Sequence, residues 1–120
     1  MQKCILIYDD DLETLNVCKV ILQTKKNYRV ETLTYCENII DDIQRFKPDV
    51  ILMDLWIPRI GGENAILLMK ENTSVNHIPV ILFSANDDIE KISSKVMANG
   101  YLKKPFDISK FMQIVEQHLI

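Results

Sequence analysis

The chain has 120 residues, of which 48% are hydrophobic and 26% are charged. These proportions are those of an ordinary globular protein, and the length predicts a single domain over residues 1–120. The net charge is −3, from 14 basic and 17 acidic side chains. Because nucleic acids and anionic membranes attract basic surfaces, we expect neither as a partner. The longest apolar run, Ile78–Phe83, is far shorter than the roughly 20 residues of a membrane span.

The cysteines and the N-terminal segment indicate the cellular compartment. Cys4, Cys18 and Cys36 lie in or beside apolar stretches, and no pair has metal-binding or redox spacing. They therefore predict buried, reduced thiols, which are typical of cytoplasmic proteins. The first apolar run is short and leads into the charged residues 9–11, which excludes a signal peptide. We predict a cytoplasmic protein.

The first half of the chain alternates apolar runs with helical periodicity. Residues 4–8 are continuously apolar, as in a strand that is covered on both faces. A helix is predicted next by apolar residues at spacings of three and four, namely Leu12, Leu15, Cys18 and Leu22. Residues 28–34 predict a strand near the edge of the sheet. A second helix, over residues 39–46, is expected to end before Pro48.

The second half repeats this alternation. Residues 50–53 form a buried run, and Pro58 with Gly61-Gly62 then marks a loop. The remaining predicted elements are a helix around residues 65–69, a strand at 79–83, a helix at 89–96, a brief strand at 101–102 and a helix at 108–119. Strands that alternate with helices predict an α/β fold built from parallel βαβ units. Right-handed crossovers then give an open, doubly wound sheet of five strands with helices on both faces.

Polar residues follow four of the predicted strands. In an open parallel sheet, ligands bind beyond the carboxyl ends of the strands, so these residues are expected to converge. They are Asp9 and Asp10, Asp54, Ser84 and Lys104.

Three clustered carboxylates repel one another and need a counter-charge. Mg²⁺ suits such a site, since it is held by one or two carboxylates together with water and phosphate oxygens. One carboxylate could then act as a nucleophile on a phosphoryl group, whose developing charge Lys104 and Ser84 could stabilise.

Each residue also has an ordinary structural explanation. Asp10 with Glu13 resembles a capping box, Asp54 could end a strand in solvent, Ser84 could cap a helix, and Lys104 could lie on the surface. These explanations account for each residue separately, but they do not account for the placement of all of them at strand ends.

Together, five segments resemble the receiver domain of two-component response regulators. They are Ile5–Asp11, Asp49–Pro58, Gly61-Gly62, Val80–Ala85 and Tyr101–Phe106. The resemblance covers the whole chain in order. It implies a flavodoxin-like fold with strand order 2-1-3-4-5 and a phosphorylation-dependent signalling switch rather than an enzyme.

The resemblance also assigns roles to the strand-end residues. Asp54 is the implied phosphoacceptor, which takes a phosphoryl group from a histidine kinase or a phosphotransfer protein. Mg²⁺, or Mn²⁺ in its place, would be held by Asp9, Asp10, Asp54 and the backbone carbonyl of Trp56. Ser84 would bond to the phosphoryl group and Lys104 would pair with it.

Further roles follow for residues around this site. Tyr101 matches an aromatic switch position, which turns inward as Ser84 moves, and a downstream protein would read the change. Trp56 and Asn86 would flank the approach of water to the phosphoryl group. The Lys104–Pro105 peptide bond is expected to be cis.

The chain departs from the family pattern in one segment. The stretch between Ser84 and Lys104 is shorter than expected by about two residues, so the fourth helix or the following loop must be trimmed. This affects the face that commonly carries output contacts in the family.

Three other functions remain as alternatives. A phosphatase of the aspartyl-phosphate class needs a second acid two residues after the nucleophile, where this chain has Trp56. A flavin or dinucleotide carrier needs a glycine-rich loop after the first strand, where residues 9–11 are all acidic. A receiver-like binding protein without chemistry would not need the complete set of strand-end residues.

Overall fold

The computed structural model describes residues 2–119, in which five strands and five helices alternate. The strands are β1 (Cys4–Tyr8), β2 (Arg29–Leu33), β3 (Val50–Asp54), β4 (Val80–Ser84) and β5 (Gly100–Lys103). The helices are α1 (Leu12–Lys25), α2 (Ile39–Phe46), α3 (Gly62–Glu71), α4 (Ile89–Val96) and α5 (Ile108–Gln117).

The strands form one parallel sheet in the order β2-β1-β3-β4-β5, which confirms the predicted topology. Alternate residues of the central strands enter two separate cores. On one face Tyr8 and Met53 pack with α2, α3 and α4. On the other face Ile7 and Phe83 pack with α1 and α5. Because helices cover both faces, β1, β3 and β4 are buried along their whole length, as their continuous apolar runs predicted.

Helix starts differ from the sequence interpretation in two respects. The N-cap of α1 is Asp11, whose carboxylate accepts a hydrogen bond from the Glu13 amide at 3.1 Å, so the alternative explanation of Asp10 as part of a capping box is wrong. Leu12 is 64% exposed, although the periodicity placed it inward. At about 100° per residue, Leu12 lies roughly 90° from the centre of the buried face of α1. Ile108, at the start of α5, is also exposed.

The shortened segment is accommodated by an abrupt end to α4. This helix has eight residues, and its C-cap is the following residue, Met97, whose backbone is left-handed with φ 62° and ψ 37°. Asn99 then joins the start of β4 twice: its amide donates to the Val80 carbonyl at 2.8 Å, and its side-chain oxygen accepts from the Val80 amide at 3.0 Å. The chain therefore enters β5 within three residues of the end of α4.

Two sequence expectations concern the rest of the described chain. Cys4, Cys18 and Cys36 are all buried free thiols, as predicted. Over residues 2–119, no helix combines the length and the apolar character that a membrane crossing requires.

Candidate functional site

Three carboxylates meet where β1 and β3 end. Asp9, Asp10 and Asp54 each place one carboxylate oxygen within 4.8 Å of the other two. Asp9 is 1% exposed and Asp54 is 5% exposed, whereas Asp10 faces solvent. The fold thus holds two buried acids beside one exposed acid, at the edge that the strand-end rule indicates.

Lys104 provides the cation of this cluster. Its Nζ donates a hydrogen bond to Asp9 Oδ2 at 2.6 Å and lies 3.5 Å from Asp54 Oδ1. The ammonium also lies 4.6 Å from the centre of the Phe83 ring, a favourable cation–π position. The Lys104 amide donates to the Ser84 carbonyl at 2.8 Å, and the Lys104–Pro105 bond is cis, as expected. These contacts fix Lys104 over the two buried acids, so the surface explanation for it is wrong.

Burial and the ion pair between Asp54 and Lys104 shift the pKa values of these two residues in opposite directions. Burial raises the pKa of Asp54 above its usual value, Asp9 and Asp10 raise it further, and Lys104 only partly opposes them. For Lys104, burial alone would lower the pKa, but the hydrogen bond to Asp9 and the negative charge of Asp54 outweigh it. Lys104 therefore stays positively charged, while the ionised form of Asp54 is disfavoured without further positive charge.

The donor set fits a hard divalent cation. Three ionised carboxylates against one ammonium leave an excess of negative charge, and all the converging atoms are oxygens, which Mg²⁺ prefers. Neighbouring carbonyls in the loop after β3 are occupied, since Ile57 donates to Asp54 O at 3.3 Å and Gly62 to Leu55 O at 3.0 Å. Within residues 2–119, the next carbonyl along the chain, that of Trp56, accepts no backbone hydrogen bond, which leaves it available as a ligand.

Ser84 lies at the end of β4 with its hydroxyl buried. Its Oγ accepts a hydrogen bond from the Asn86 amide at 3.1 Å. The N-cap of α4 is instead Asp88, so the helix-capping explanation for Ser84 is wrong. Asn86 in turn accepts from the Asp88 amide at 2.8 Å. The hydroxyl of Ser84 is thus held at the strand end by a local turn rather than by a helix terminus.

Trp56 and Tyr101 occupy outer positions. Trp56 is 69% exposed and lines an open cleft together with Asn86. Its indole therefore does not anchor the loop in the core. The anchoring is done by its neighbours Leu55 and Ile57, which are buried. Tyr101 is 40% exposed on β5, so it lies outside the carboxylate cluster in this structure.

The glycine pair allows the loop after β3 to turn tightly into α3. A Cβ atom on Gly62 would lie 2.5 Å from the Asp54 carbonyl oxygen, which is too close for any side chain. Gly61 has a φ of 80°, a conformation that glycine adopts without strain. Both glycines therefore hold the start of α3 against the end of β3.

Two contacts that support the site were not predicted from the sequence. The Asp11 amide donates to Asp9 Oδ1 at 2.8 Å and fixes the rotamer of that acid. The buried Tyr8 hydroxyl donates to Asp42 Oδ2 on α2 at 2.8 Å. The acidic run around Asp11 gave a weak signal for the first contact. Nothing in the sequence pattern pairs Tyr8 with Asp42, because that contact depends on how α2 packs on the sheet.

A family comparison covers nearly the whole chain. The sequence model of the response regulator receiver domain matches residues 5–116. The chain is 32% identical over 114 residues to "Probable transcriptional regulator ycf29" of Cyanophora paradoxa, covering 93% of this chain and 54% of that protein. It therefore spans about half the length of that relative. It is 25% identical over 122 residues to the polar-differentiation response regulator DivK of Brucella ovis, covering 99% and 98% of the two chains.

Solved structures share the fold. The chemotaxis response regulator CheY4 of Vibrio cholerae superposes with a TM-score of 0.87 at 22% identity, covering 99% of this chain and all of that one (100%). The receiver domain of the sensor histidine kinase PA1611 of Pseudomonas aeruginosa gives 0.87 at 23% identity, covering 99% and 98%. That second structure has a magnesium ion coordinated in its active-site cleft.

Proposed function

We propose that this chain, which belongs to the response regulator receiver family, is a switch that accepts a phosphoryl group on Asp54. The donor is a phosphohistidine of a histidine kinase or a phosphotransfer protein in a two-component phosphorelay. The observation that carries the proposal is the cluster of Asp9, Asp10 and Asp54 oxygens within 4.8 Å, with Lys104 against the two buried acids.

The transfer exchanges one bond for another. A carboxylate oxygen of Asp54 bonds to phosphorus while the bond from phosphorus to the imidazole nitrogen breaks and leaves its electron pair on that nitrogen. The product is an acyl phosphate. Lys104 lies 3.5 Å from Asp54 Oδ1 and stabilises the charge that builds on the phosphoryl oxygens. The Ser84 hydroxyl accepts from the Asn86 amide, so its own proton can donate a further hydrogen bond to a phosphoryl oxygen.

Asp9, Asp10 and Asp54, with the Trp56 carbonyl, are the proposed ligands of Mg²⁺. When bound, the ion supplies positive charge that offsets the carboxylates and withdraws charge from the phosphoryl group. The magnesium in the PA1611 receiver supports this assignment by analogy. The oxygen-only donor set of this chain supports it independently.

The proposed output begins at Ser84. Its hydroxyl moves to the phosphoryl group, and Tyr101, now partly exposed, turns inward to occupy the space left behind. A downstream protein in the cytoplasm then reads the altered surface. The chain assists its own phosphorylation and dephosphorylation but turns over no separate substrate. The phosphatase alternative gains no support, because an exposed Trp56 stands where its second acid is needed.

Mass spectrometry after incubation with acetyl phosphate tests the proposal. With Mg²⁺, the wild-type protein should gain the mass of one phosphoryl group, and with EDTA it should gain none. Asp54→Asn should gain none in either buffer. Asp41→Asn is the matched control, because Asp41 is an exposed acid on α2 outside the cluster, and it should behave like the wild type. A wild-type protein that is never modified, or an equal gain in Asp54→Asn, would refute the proposal.

A further inference from the structure

The loop that carries Trp56 is joined by hydrogen bonds to the loop after β2. The Cys36 amide donates to the Pro58 carbonyl at 3.1 Å, and the Ile60 amide donates to the Cys36 carbonyl at 3.0 Å. These two bonds form an isolated parallel bridge between Cys36 and Arg59, beyond the ends of the regular strands. We call the pair of bonds the loop clamp.

The clamp encloses a strained residue. Arg59 lies between Pro58 and Ile60 and has a φ of 83°, a region that L residues other than asparagine and aspartate rarely adopt. Such a conformation persists only where the surrounding structure imposes it. The two clamp bonds flank Arg59 directly and hold its backbone, and its guanidinium lies 5.8 Å from the centre of the Tyr35 ring.

The β2 side of the clamp is anchored in the core. Cys36 is fully buried and packs in the same cluster as Tyr8, whose hydroxyl is tied to Asp42 on α2. Burial, with the charge of Asp42 adding to it, raises the pKa of the Cys36 thiol to about 12, so the thiol is neutral and acts as an apolar packing group. A buried residue on one side thus holds an exposed loop on the other.

The β3 side of the clamp carries the proposed site. Residues 55–61 run from the phosphoacceptor strand to Gly62, and Leu55 and Ile57 fasten the first half of this segment to the core. The clamp fastens the second half at Pro58 and Ile60. Trp56, with the carbonyl proposed as a metal ligand, lies in the fastened first half.

From this arrangement we infer that Cys36 and Arg59 are positioning residues: the loop clamp holds residues 55–61 in the conformation that binds Mg²⁺. This inference rests on the proposed function. Where the clamp is open, the loop must close before the ion can bind with its full set of ligands. The apparent affinity for Mg²⁺ then falls in proportion to the fraction of the protein in which the loop is closed.

Two substitutions at Arg59 separate backbone strain from loss of the guanidinium. Asparagine tolerates the left-handed conformation, whereas a β-branched valine does not. Arg59 is exposed, so neither substitution disturbs the core. The Arg59→Asn protein should keep the clamp closed, and the Arg59→Val protein should open it.

Titration with MgCl₂, followed by the fluorescence of the single tryptophan Trp56, measures the effect. The midpoint should be unchanged in Arg59→Asn and raised about fivefold in Arg59→Val, because valine adds a β-branched clash to the positive-φ strain that arginine already carries. Equal midpoints in all three proteins, with only a lower melting temperature for Arg59→Val, would overturn the inference. A midpoint raised equally in both variants would also overturn it, because the guanidinium would then be responsible.

Amide hydrogen exchange without Mg²⁺ gives a second readout. The Cys36 and Ile60 amides should be protected in the wild type and in Arg59→Asn, and should exchange faster in Arg59→Val. Equal exchange in the three proteins would show that the clamp does not depend on Arg59 and would overturn the inference. If Mg²⁺ does not bind the wild type at all, the proposed function fails, and the exchange data still decide whether the clamp holds the loop.

Discussion

Asp54 combines burial with two like charges and a single cation. Its pKa is raised, chiefly by burial, so ionising it costs more in the folded protein than in the unfolded chain. The contribution of such a carboxyl group to stability is fully present below the pKa that it has in the unfolded chain. It is lost as the pH rises through the higher pKa that the group has in the folded protein. At neutral pH the ionised Asp54 therefore lowers the free energy of unfolding.

This sign predicts the stability of the Asp54→Asn protein. At pH 7 without metal, it should have a higher free energy of unfolding than the wild type, because asparagine cannot ionise. The advantage should shrink as the pH falls towards about 4, the ordinary pKa of aspartate. Adding Mg²⁺ should stabilise the wild type and leave Asp54→Asn almost unaffected. Urea denaturation at several pH values, with and without Mg²⁺, measures all three effects.

The control is again Asp41→Asn, which removes an acid from the first turn of α2 and so should be no more stable than the wild type at any pH. It should respond to Mg²⁺ as the wild type does. A metal-free Asp54→Asn protein that is less stable than the wild type at pH 7 would contradict the assignment. In that case the ion pair with Lys104 would outweigh the cost of burial.

We expect the side chains of Trp56 and Asn86 to control how long the phosphoryl group survives. Both line the cleft beside the site, and neither can act as a strong base on water. The indole of Trp56 is large enough to restrict access, so self-hydrolysis should be slow, which suits a sustained response or onward transfer. Replacing it in Trp56→Asn should shorten the phosphoryl half-life about tenfold, a barrier change of roughly 1.4 kcal/mol. The half-lives are measured after removal of the donor at fixed Mg²⁺, and an equal or longer half-life in the variant would show that Trp56 does not restrict water.

At the scale of elements, the turn from β3 into α3 depends on two different properties of glycine. A Cβ on Gly62 would meet the Asp54 carbonyl oxygen at 2.5 Å, whereas a Cβ on Gly61 would meet nothing within 4 Å. Gly62→Ala must therefore shift α3 or β3 and should destabilise the protein by about 1–3 kcal/mol or more. Gly61→Ala should cost only the strain of its backbone, since a φ of 80° with a ψ of 153° is a region that essentially only glycine adopts, about 1–3 kcal/mol.

Mg²⁺ affinity distinguishes the two glycine variants further. Because Gly62 abuts the carbonyl of Asp54, a proposed metal ligand, Gly62→Ala should weaken Mg²⁺ binding more than Gly61→Ala does. Denaturation and Mg²⁺ titration of both proteins provide the comparison. A larger effect of Gly61→Ala on both quantities would mean that the close approach of α3 to Asp54 is unimportant.

The short helix α4 ends on a residue that is not suited to its conformation. Met97 is exposed and left-handed, and its amide bonds to the carbonyls of Ser93 and Ser94. Glycine is the usual residue at such a helix end. Met97→Gly should raise the free energy of unfolding by about 0.5–1 kcal/mol. This is the left-handed strain that glycine relieves, minus the conformational entropy that glycine adds to the unfolded chain. The same substitution at Lys47, which is left-handed at the end of α2, is the matched comparison and should act in the same direction. A loss of stability in Met97→Gly would show that its side chain makes contacts worth more than the strain.

Elements with strong patterns were predictable from the sequence. The continuous apolar run at residues 50–53 and its counterparts predicted strands covered on both faces, and their alternation with helices predicted the parallel topology. The strand-end rule then placed Asp9, Asp54 and Lys104 at one edge, where they lie. Neither step needs knowledge of side-chain packing.

Contacts that depend on packing between distant elements were not predictable. Leu12 fits a helical spacing but lies off the buried face, and the exposure of Trp56 depends on Leu55 and Ile57 anchoring the loop in its place. The left-handed Arg59 carries no sequence signal, since nothing local favours that conformation in arginine. Its partner Cys36 is brought to it only by the folded sheet.

At the scale of the molecule, the sheet brings distant segments of the chain to one edge. Lys104 and Asp9 are 95 positions apart in sequence, yet their side chains are 2.6 Å apart. Asp9 and Asp10 follow β1 and Lys104 follows β5, whereas Asp54 and Ser84 are the last residues of β3 and β4. Phosphorylation of Asp54, as proposed, would therefore act on residues at the ends of four of the five strands. This is the physical basis for expecting a shape change over the surface around β4 and β5.

The central claim is that Asp54 itself carries the phosphoryl group, and chemical trapping tests it most directly. Borohydride reduces an acyl phosphate to an alcohol, so a phosphorylated aspartate becomes homoserine, which peptide mass spectrometry can locate. After incubation with acetyl phosphate and Mg²⁺, the account predicts homoserine at position 54 and unreduced aspartate at positions 9 and 10. Homoserine at position 9 or 10, or at no position in a protein that has gained phosphate, would contradict it.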